Sequence, residues 1–531
     1  LTGDVGAGTN IDTVTLQSNT GTETGTMTFD GAVTVADITT FGQAYDVALN
    51  GGGTITNVTT FANLGTVTLG DDAGDTLTFS NGVSATLPTG INIAGTVAAT
   101  TGASTITLGD ADTGLTVTDN AFVGGTATGQ IDLGDATIND GFTLTVGTGT
   151  SNIINLDAIT GANAGAGSSD LTINTTGVVT VAEAVGTDIG TVTITNSGGT
   201  VFNNTVAANT LTITDTAAAA TVSFTDNLTV GAGGMTAAAP TGAYNISITG
   251  DTNSIGAATA LNNTGTLTIG NDGGDSITFA GGMTANTQSA IALGGNIADT
   301  TGDTILIGDG ITVTDAVIIS GANTAIIDLG DLTINDGITL TAGIGADNQI
   351  NLDSISGVAG GAASNLTVNT TGAVQVAEAM ATDIGTIRIT NSGGTTFTGA
   401  VGAGGDRVTL VDLVATTGTV AFNNNLFTTG LTNAGGNFDL AFNGGTTDVT
   451  NAVTLGTSGG VTFGDGGDTL NFTGGLVHTA GTNALGGDIT ATNAAINLNN
   501  TTAVASNSTL AAGNGLITLG ATTIADSTTL T

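Results

Sequence analysis

The chain has no cysteine, no lysine and no tryptophan. Without cysteine there is no disulfide scaffold, no thiolate metal site and no thiol chemistry. Without lysine, the only permanent cations are Arg388 and Arg407, joined by a single histidine, His478. Binding to nucleic acid releases counterions through Lys and Arg set against phosphates, so a nucleic-acid partner is excluded. Electrostatic attraction to an anionic membrane is excluded on the same ground. Aromatic residues make up 3% of the chain, with Tyr45 and Tyr244 as the only tyrosines. That leaves no aromatic platform for stacking sugars and too little bulk for a thick globular core. No apolar run approaches the roughly 20 residues that span a bilayer, so this segment is not expected to insert directly in a membrane. No signal peptide is visible and the first residue is Leu. A processed end, or a cut within a longer protein, is the expectation.

What is present is small, apolar and acidic. The 531 residues include 87 glycines, and 39% are hydrophobic, which sets the chain apart from disordered polar sequences. Asp and Glu number 43, for a net charge of −41, spread thinly rather than gathered in a tail. Such a charge keeps an extracellular object soluble and attracts divalent cations.

The strongest signal is internal repetition. The stretch LTINTTGVVTVAEAVGTDIGTVTITNSGGTVF, 171–202, returns as LTVNTTGAVQVAEAMATDIGTIRITNSGGTTF, 366–397, with 24 of 32 positions identical. YDVALNGG from Tyr45, YNISITGD from Tyr244 and FDLAFNGG from Phe438 mark one phase in three copies. The period is about 195 residues. It divides the chain into the end of a preceding repeat (1–44), a first full unit (45–243), a second (244–437) and a partial third (438–531). Because the chain opens and closes partway through a unit, a window on a longer repetitive chain, or a protomer that stacks end to end, is expected.

Within each unit, short runs such as TVTL, LTVT, LTIN and VTIT alternate apolar residues with Thr. That period of two reads as β-strand with one buried face, and Val, Ile and Thr suit a pleated surface. Clusters of Gly, Asn and Asp between the runs are turn formers. The most helix-like piece, VAEAVG at 181–186, is too short to hold a helix. Strands this short, with interiors this small, predict a parallel β-helix, or β-solenoid, in which changes between copies fall at corners. A tandem array of β-sandwiches is the alternative.

The stretch TVTLGDDAGDTLTF, 66–79, carries three aspartates between two strand runs. It recurs as TLTIGNDGGDSITF, 266–279, and as GVTFGDGGDTLNF, 460–472. Its Leu-Gly-Asp opening also stands at Leu108-Gly109-Asp110 and Leu133-Gly134-Asp135. One reading is a plain corner of the coil, since Asn271 replaces Asp71 and both residue types form turns. The other is a calcium corner, because hard Ca²⁺ takes several oxygens at close range. Its ligands would come from Asp71, Asp72 and Asp75, from Asp272 and Asp275, or from Asp465 and Asp468.

Catalysis has weak candidates. Carbohydrate-active β-helices need clustered carboxylates with cationic or histidine partners in a groove. His478, in GGLVHTAG, reads as a lone surface or turn residue. Arg388, in TIRIT, replaces Thr193 of the sister unit and is expected to point outward. Arg407 lies in a Gly-Asp turn. Glu183 and Glu378 read as coil-edge residues. No enzyme is expected.

Runs such as NTGTLTIGNDGGDSITFAGG and LAAGNGLITLGATTIADSTTL resemble the repeat regions of filamentous-haemagglutinin-like and autotransporter-passenger surface exoproteins of bacteria. The resemblance covers essentially the whole chain and is one of style and composition. It implies a right-handed parallel β-helix, secretion to the cell surface, and a structural role as fibre, sheath or stalk. Self-assembly, end to end or lateral, fits that role. An adhesin stalk that meets cell-surface or matrix components is the alternative, and a polysaccharide-acting enzyme the third reading. The resemblance carries over no functional residue.

Overall fold

The computed structural model describes every residue except 10, 17–20, 23, 164–167 and 323. The chain forms two compact units, Leu1–Leu267 and Thr268–Thr531. Each is a parallel β-solenoid, and the two together hold about 23 turns. No helix occurs among the described residues. The parallel ladders rule out the antiparallel sandwich array. The segment VAEAVG is strand and turn, ending Val179–Val181 and opening Val185–Gly186.

Each turn lays its strands on those of the turn before. In the first unit Val47 pairs with Val67, Val67 with Ile91, Ile91 with Leu115 and Leu115 with Ala136. A second column runs Val123, Val146, Ile173, Ile194 and Ile213. A third runs Leu108, Leu133, Leu156, Val181, Phe202 and Phe224. The apolar residues of these columns face inward and are buried. The alternate residues face out, as strand geometry requires. Thr145, Thr172, Thr193, Thr212 and Thr236 therefore form one external threonine file.

The second unit repeats the scheme. Ile305, Ile327, Ile350 and Val374 stack in one column. Beside it, Leu352 and Val376 lead into Phe397, Phe422, Phe442 and Phe463. Phe397 and Phe422 stack with ring centroids 4.9 Å apart, and Phe422 and Phe442 with centroids 5.8 Å apart. Phe29, Phe79, Phe279 and Phe472 also fill the core, while Phe142 is only half-buried.

Buried polar residues staple the corners, and they do so in matched pairs. Asn63 donates to the carbonyls of Tyr45 (3.1 Å) and Thr66 (3.2 Å), and Asn263 to those of Tyr244 (3.2 Å) and Thr266 (3.0 Å). The Thr175 hydroxyl donates to the carbonyls of Thr150 (2.8 Å) and Asn152 (2.6 Å). Thr370 does the same to Ala346 (2.9 Å) and Asn348 (2.6 Å). Ser169 and Ser364 each donate at 2.9 Å to Ile138 and Ile334. A buried backbone carbonyl without a donor is costly, so each staple lets the chain bend sharply inside the core.

Candidate functional site

The Asp-rich corner is a closed turn. The Oδ2 atom of Asp75 accepts from the backbone N–H of Asp71 (2.9 Å) and of Asp72 (3.1 Å). Asp72 Oδ1 accepts from Gly74 N–H at 2.6 Å. The Asp75 carbonyl then takes the N–H of Thr96 on the following turn at 2.7 Å. Gly70 enters this corner with φ +81, and a Cβ there would lie 2.3 Å from the Ala94 carbonyl oxygen. That close approach requires glycine.

The sister corner is the same object. Asp275 Oδ2 accepts from Asn271 N–H (2.7 Å) and Asp272 N–H (3.2 Å), and Asp272 Oδ1 from Gly274 N–H (2.6 Å). Gly270 has φ +68, and its Cβ would meet the Gly294 carbonyl at 2.1 Å. In the third copy Asp468 Oδ2 accepts from Asp465 N–H at 2.7 Å. What the three turns share at the position of Asp71, Asn271 and Asp465 is thus the backbone N–H. The carboxylates of Asp75, Asp275 and Asp468 are already engaged.

Only the first copy gathers three carboxylates among the described residues. Ligand atoms of Asp71, Asp72 and Asp75 lie within 4.8 Å of one another. Asp272 and Asp275 stand beside Asn271, and Asp465 beside Asp468, with two carboxylates each. The Asp71 carboxyl is held above the usual aspartate range, first by desolvation in the corner, then by the hydrogen bond and charge of Asp75.

Winding collects charge that looks dispersed along the sequence. Because Leu108, Leu133, Leu156 and Val181 stack, the acidic residues one or two positions later line one corner: Asp110, Asp135, Asp157 and Glu183. Asp157 is pushed up by burial, and then by Asp135, Glu183 and the others. The second unit sets Asp309, Asp331 and Asp353 in the same way, and Asp353 is raised by burial and then by Asp328 and Asp331.

A second acidic pattern had no reading in the sequence. Asx side chains reach across to the backbone N–H of the next turn. Asp46 Oδ1 accepts from Thr66 (2.7 Å), Asn245 Oδ1 from Thr266 (2.8 Å) and Asp439 Oδ1 from Gly460 (2.7 Å). Asp170 and Asn365 do likewise toward Thr191 (2.7 Å) and Thr386 (2.9 Å). The signal was there to find: an Asp or Asn followed by a Thr or Gly about one coil later. Asp46 is lowered chiefly by the Thr66 N–H.

The remaining candidates lie apart from one another. Arg388 points outward as expected and pairs with Asp412 at 3.0 Å, its register neighbour. Together the two replace Thr193 and Thr212 of the external threonine file. Arg407 is not a free turn residue. Its guanidinium reaches Asp448, donating to the backbone carbonyl at 3.0 Å and to the carboxylate, and it lies 5.9 Å from the centroid of Phe427. Glu183 and Glu378 are exposed at coil edges. His478 corrects the expectation of a surface or turn residue. It ends the strand Leu476–His478 with its side chain in the core, 1% exposed. Strand alternation carries it inward with Leu476, and Asn483 and Thr457 give its ring polar partners there. The shallow depression on the first unit between Val58, Gly82, Ser84 and Thr105 is lined without a titratable side chain, and the one between Ile11, Thr34 and Thr56 holds a single acid, Asp12.

Comparison with family models, curated proteins and solved structures gives no match.

Proposed function

We propose that the chain is a stretch of a rigid, acidic surface solenoid exported by a bacterium, serving as fibre, sheath or stalk. The observation that carries this reading is where the polar chemistry goes. Asx side chains, buried Thr, Ser and Asn, and both arginines bond one turn to another. A molecule whose polar groups tie successive turns together resists bending and extension, which suits a spacer. The outward acidic stripes keep it soluble and draw divalent cations in a salt-containing exterior. Right-handed winding, the strongly favoured sense of parallel β crossovers, belongs to the same reading. So does self-association, end to end or side by side, and encounter with cell-surface or matrix components.

Immunogold electron microscopy of intact producing cells, with an antibody to this chain, tests the proposal. Labelled filaments, sheaths or rods outside the cell are expected. Label confined to the cytoplasm overturns it.

A further inference from the structure

The three copies of the repeat provide an internal reference for the core, and the third copy departs from it at three touching positions. The strand register places His478 where the sister units have Ala85 and Ala285, Asn483 where they have Ile91 and Ile291, and Thr502 where they have Leu115 and Ile311. All six sister residues are buried and apolar, and the three replacements are buried as well, at 1%, 2% and 0% exposure. Buried polar groups are as a rule hydrogen-bonded, and these three are bonded in a chain. His478 Nδ1 lies 2.6 Å from Asn483 Oδ1, and its Nε2 lies 3.3 Å from the Thr457 carbonyl. Asn483 Nδ2 donates to Thr502 Oγ1 at 3.0 Å, and that hydroxyl donates to the Asn500 carbonyl at 3.2 Å.

Both ring nitrogens of His478 therefore face oxygen acceptors. A neutral imidazole donates from one nitrogen only; the imidazolium donates from both. With the Asn483 amide in this orientation the imidazolium satisfies both contacts, and a neutral ring satisfies only one of them. A second arrangement satisfies the neutral ring. Nε2–H keeps the Thr457 carbonyl, the Asn483 amide turns over to donate from Nδ2 to Nδ1, and the Thr502 hydroxyl swings from the Asn500 carbonyl to Asn483 Oδ1. The two states differ by one proton, one amide flip and one hydroxyl rotation.

We propose that His478, Asn483 and Thr502 form a buried proton-linked switch in the third repeat, in which protonation of the imidazole is coupled to reversal of the Asn483 amide. No Asp, Glu or Arg stands on the strands packed around the ring: Val453–Leu455, Gly460–Phe463, Thr482–Leu485, Ile496–Leu498 and Thr501–Val504. The groups that face it are the Asn483 amide and the Thr457 carbonyl, so amide orientation is the term that answers the charge. Imidazole is the one side chain whose ordinary titration falls between about pH 5 and 8, and this chain has a single copy of it.

That single copy makes the test direct. The full chain is labelled with ¹⁵N in histidine and asparagine side chains, and the ring and amide resonances are followed by NMR from about pH 8 to about pH 5. The expected result is the Nε2–H tautomer at high pH, two protonated nitrogens at low pH in the folded protein, and a shift of the Asn483 amide in the same step. The variant His478→Ala with Asn483→Ile and Thr502→Leu restores the sister core and should show far-ultraviolet and thermal behaviour without that pH step. A ring that keeps one bare nitrogen until the chain unfolds overturns the proposal. So does protonation that leaves the Asn483 amide unmoved, or an Nδ1–H tautomer at high pH.

Discussion

Replacing Phe422 by Ala should open a local gap in the second unit and leave the first unit untouched. Phe422 is 1% exposed and stacked between Phe397 and Phe442, at 4.9 and 5.8 Å. Truncating a buried Phe to Ala costs roughly 3–5 kcal/mol, and each stacked pair adds roughly 0.5–1.5 kcal/mol beyond burial. A loss of about 4 kcal/mol or more is therefore expected. In a solenoid each turn contacts only its neighbours, so the loss falls on adjacent turns rather than on the whole chain. Hydrogen exchange read by mass spectrometry resolves this, because local opening is governed by local free energy. Protection at Val420–Phe422, Thr395–Phe397 and Leu440–Phe442 should fall about 10³-fold, since about 1.4 kcal/mol is a factor of ten. Protection at Ile131–Leu133 and Ile154–Leu156 in the first unit should not change. Phe442→Ile is the milder control, because Ile248 already follows Phe224 at the equivalent place in the first unit. It should cost less than Phe422→Ala. Equal loss of protection in both units, or none beside residue 422, would refute nearest-neighbour packing as the source of stability.

Substitutions at three further places probe the corners and the surface. Asp71→Asn copies the sister residue Asn271. Since the folded state raises Asp71, its ionised form is disfavoured at neutral pH, and that strain is relieved as pH falls through the folded value. The variant should be at least as stable as the parent in urea at neutral pH; a clear loss would show that the corner needs this carboxylate. Asp46 is the opposite case. Its lowered pKa means a contribution that is complete above the ordinary aspartate range and is lost as pH falls through the folded value. Asp46→Asn should keep the bond to Thr66, as Asn245 does with Thr266, and remove that acid-side slope. Asp46→Ala should cost about 0.5–1.5 kcal/mol at neutral pH. Finally, Arg388→Thr with Asp412→Thr restores the threonine file. With the arginine side chain half exposed, the pair's coupling in a double-mutant cycle should be at most about 1 kcal/mol and should fade at about 1 M salt.

The solenoid was legible because its signals are local and repeated. Alternation in TVTL or LTIN gives the strand and its buried face, and the 195-residue period shows the same strands returning in each copy. The turn at Asp71–Asp75 was legible as a turn for the same reason: Asn271 stands in for Asp71 and the strands on either side survive. The stacking partner of each residue was not legible. Successive turns are 20 residues long between Val47 and Val67 but 24 between Val67 and Ile91, so no fixed offset reveals that Asp110, Asp135, Asp157 and Glu183 share a corner. His478 was misplaced for a related reason. A polar residue among Gly and Thr reads as surface when its partners, Thr457, Asn483 and Thr502, are brought to it only by the winding.

The repeats also separate chemistry that the fold needs from chemistry it merely carries. At the rung occupied by Asp46, Asn245 and Asp439, the acceptor oxygen is kept and the charge is not. At the position of Asp71, Asn271 and Asp465, the three turns share only the backbone N–H, and the charge is not kept. At these two positions the negative charge varies between copies without loss of the coil. The core obeys the reverse rule. Its columns exchange Val, Ile, Leu and Phe freely, because volume and apolarity are what a column of stacked side chains requires. Against that background His478, Asn483 and Thr502 stand out as three touching polar residues at positions that are apolar in the sister copies. Single buried threonines also enter the columns, as Thr200 does between Val179 and Val222, but His478, Asn483 and Thr502 differ in being bonded to one another. The three members form one connected unit, and that unit contains the single histidine of this protein.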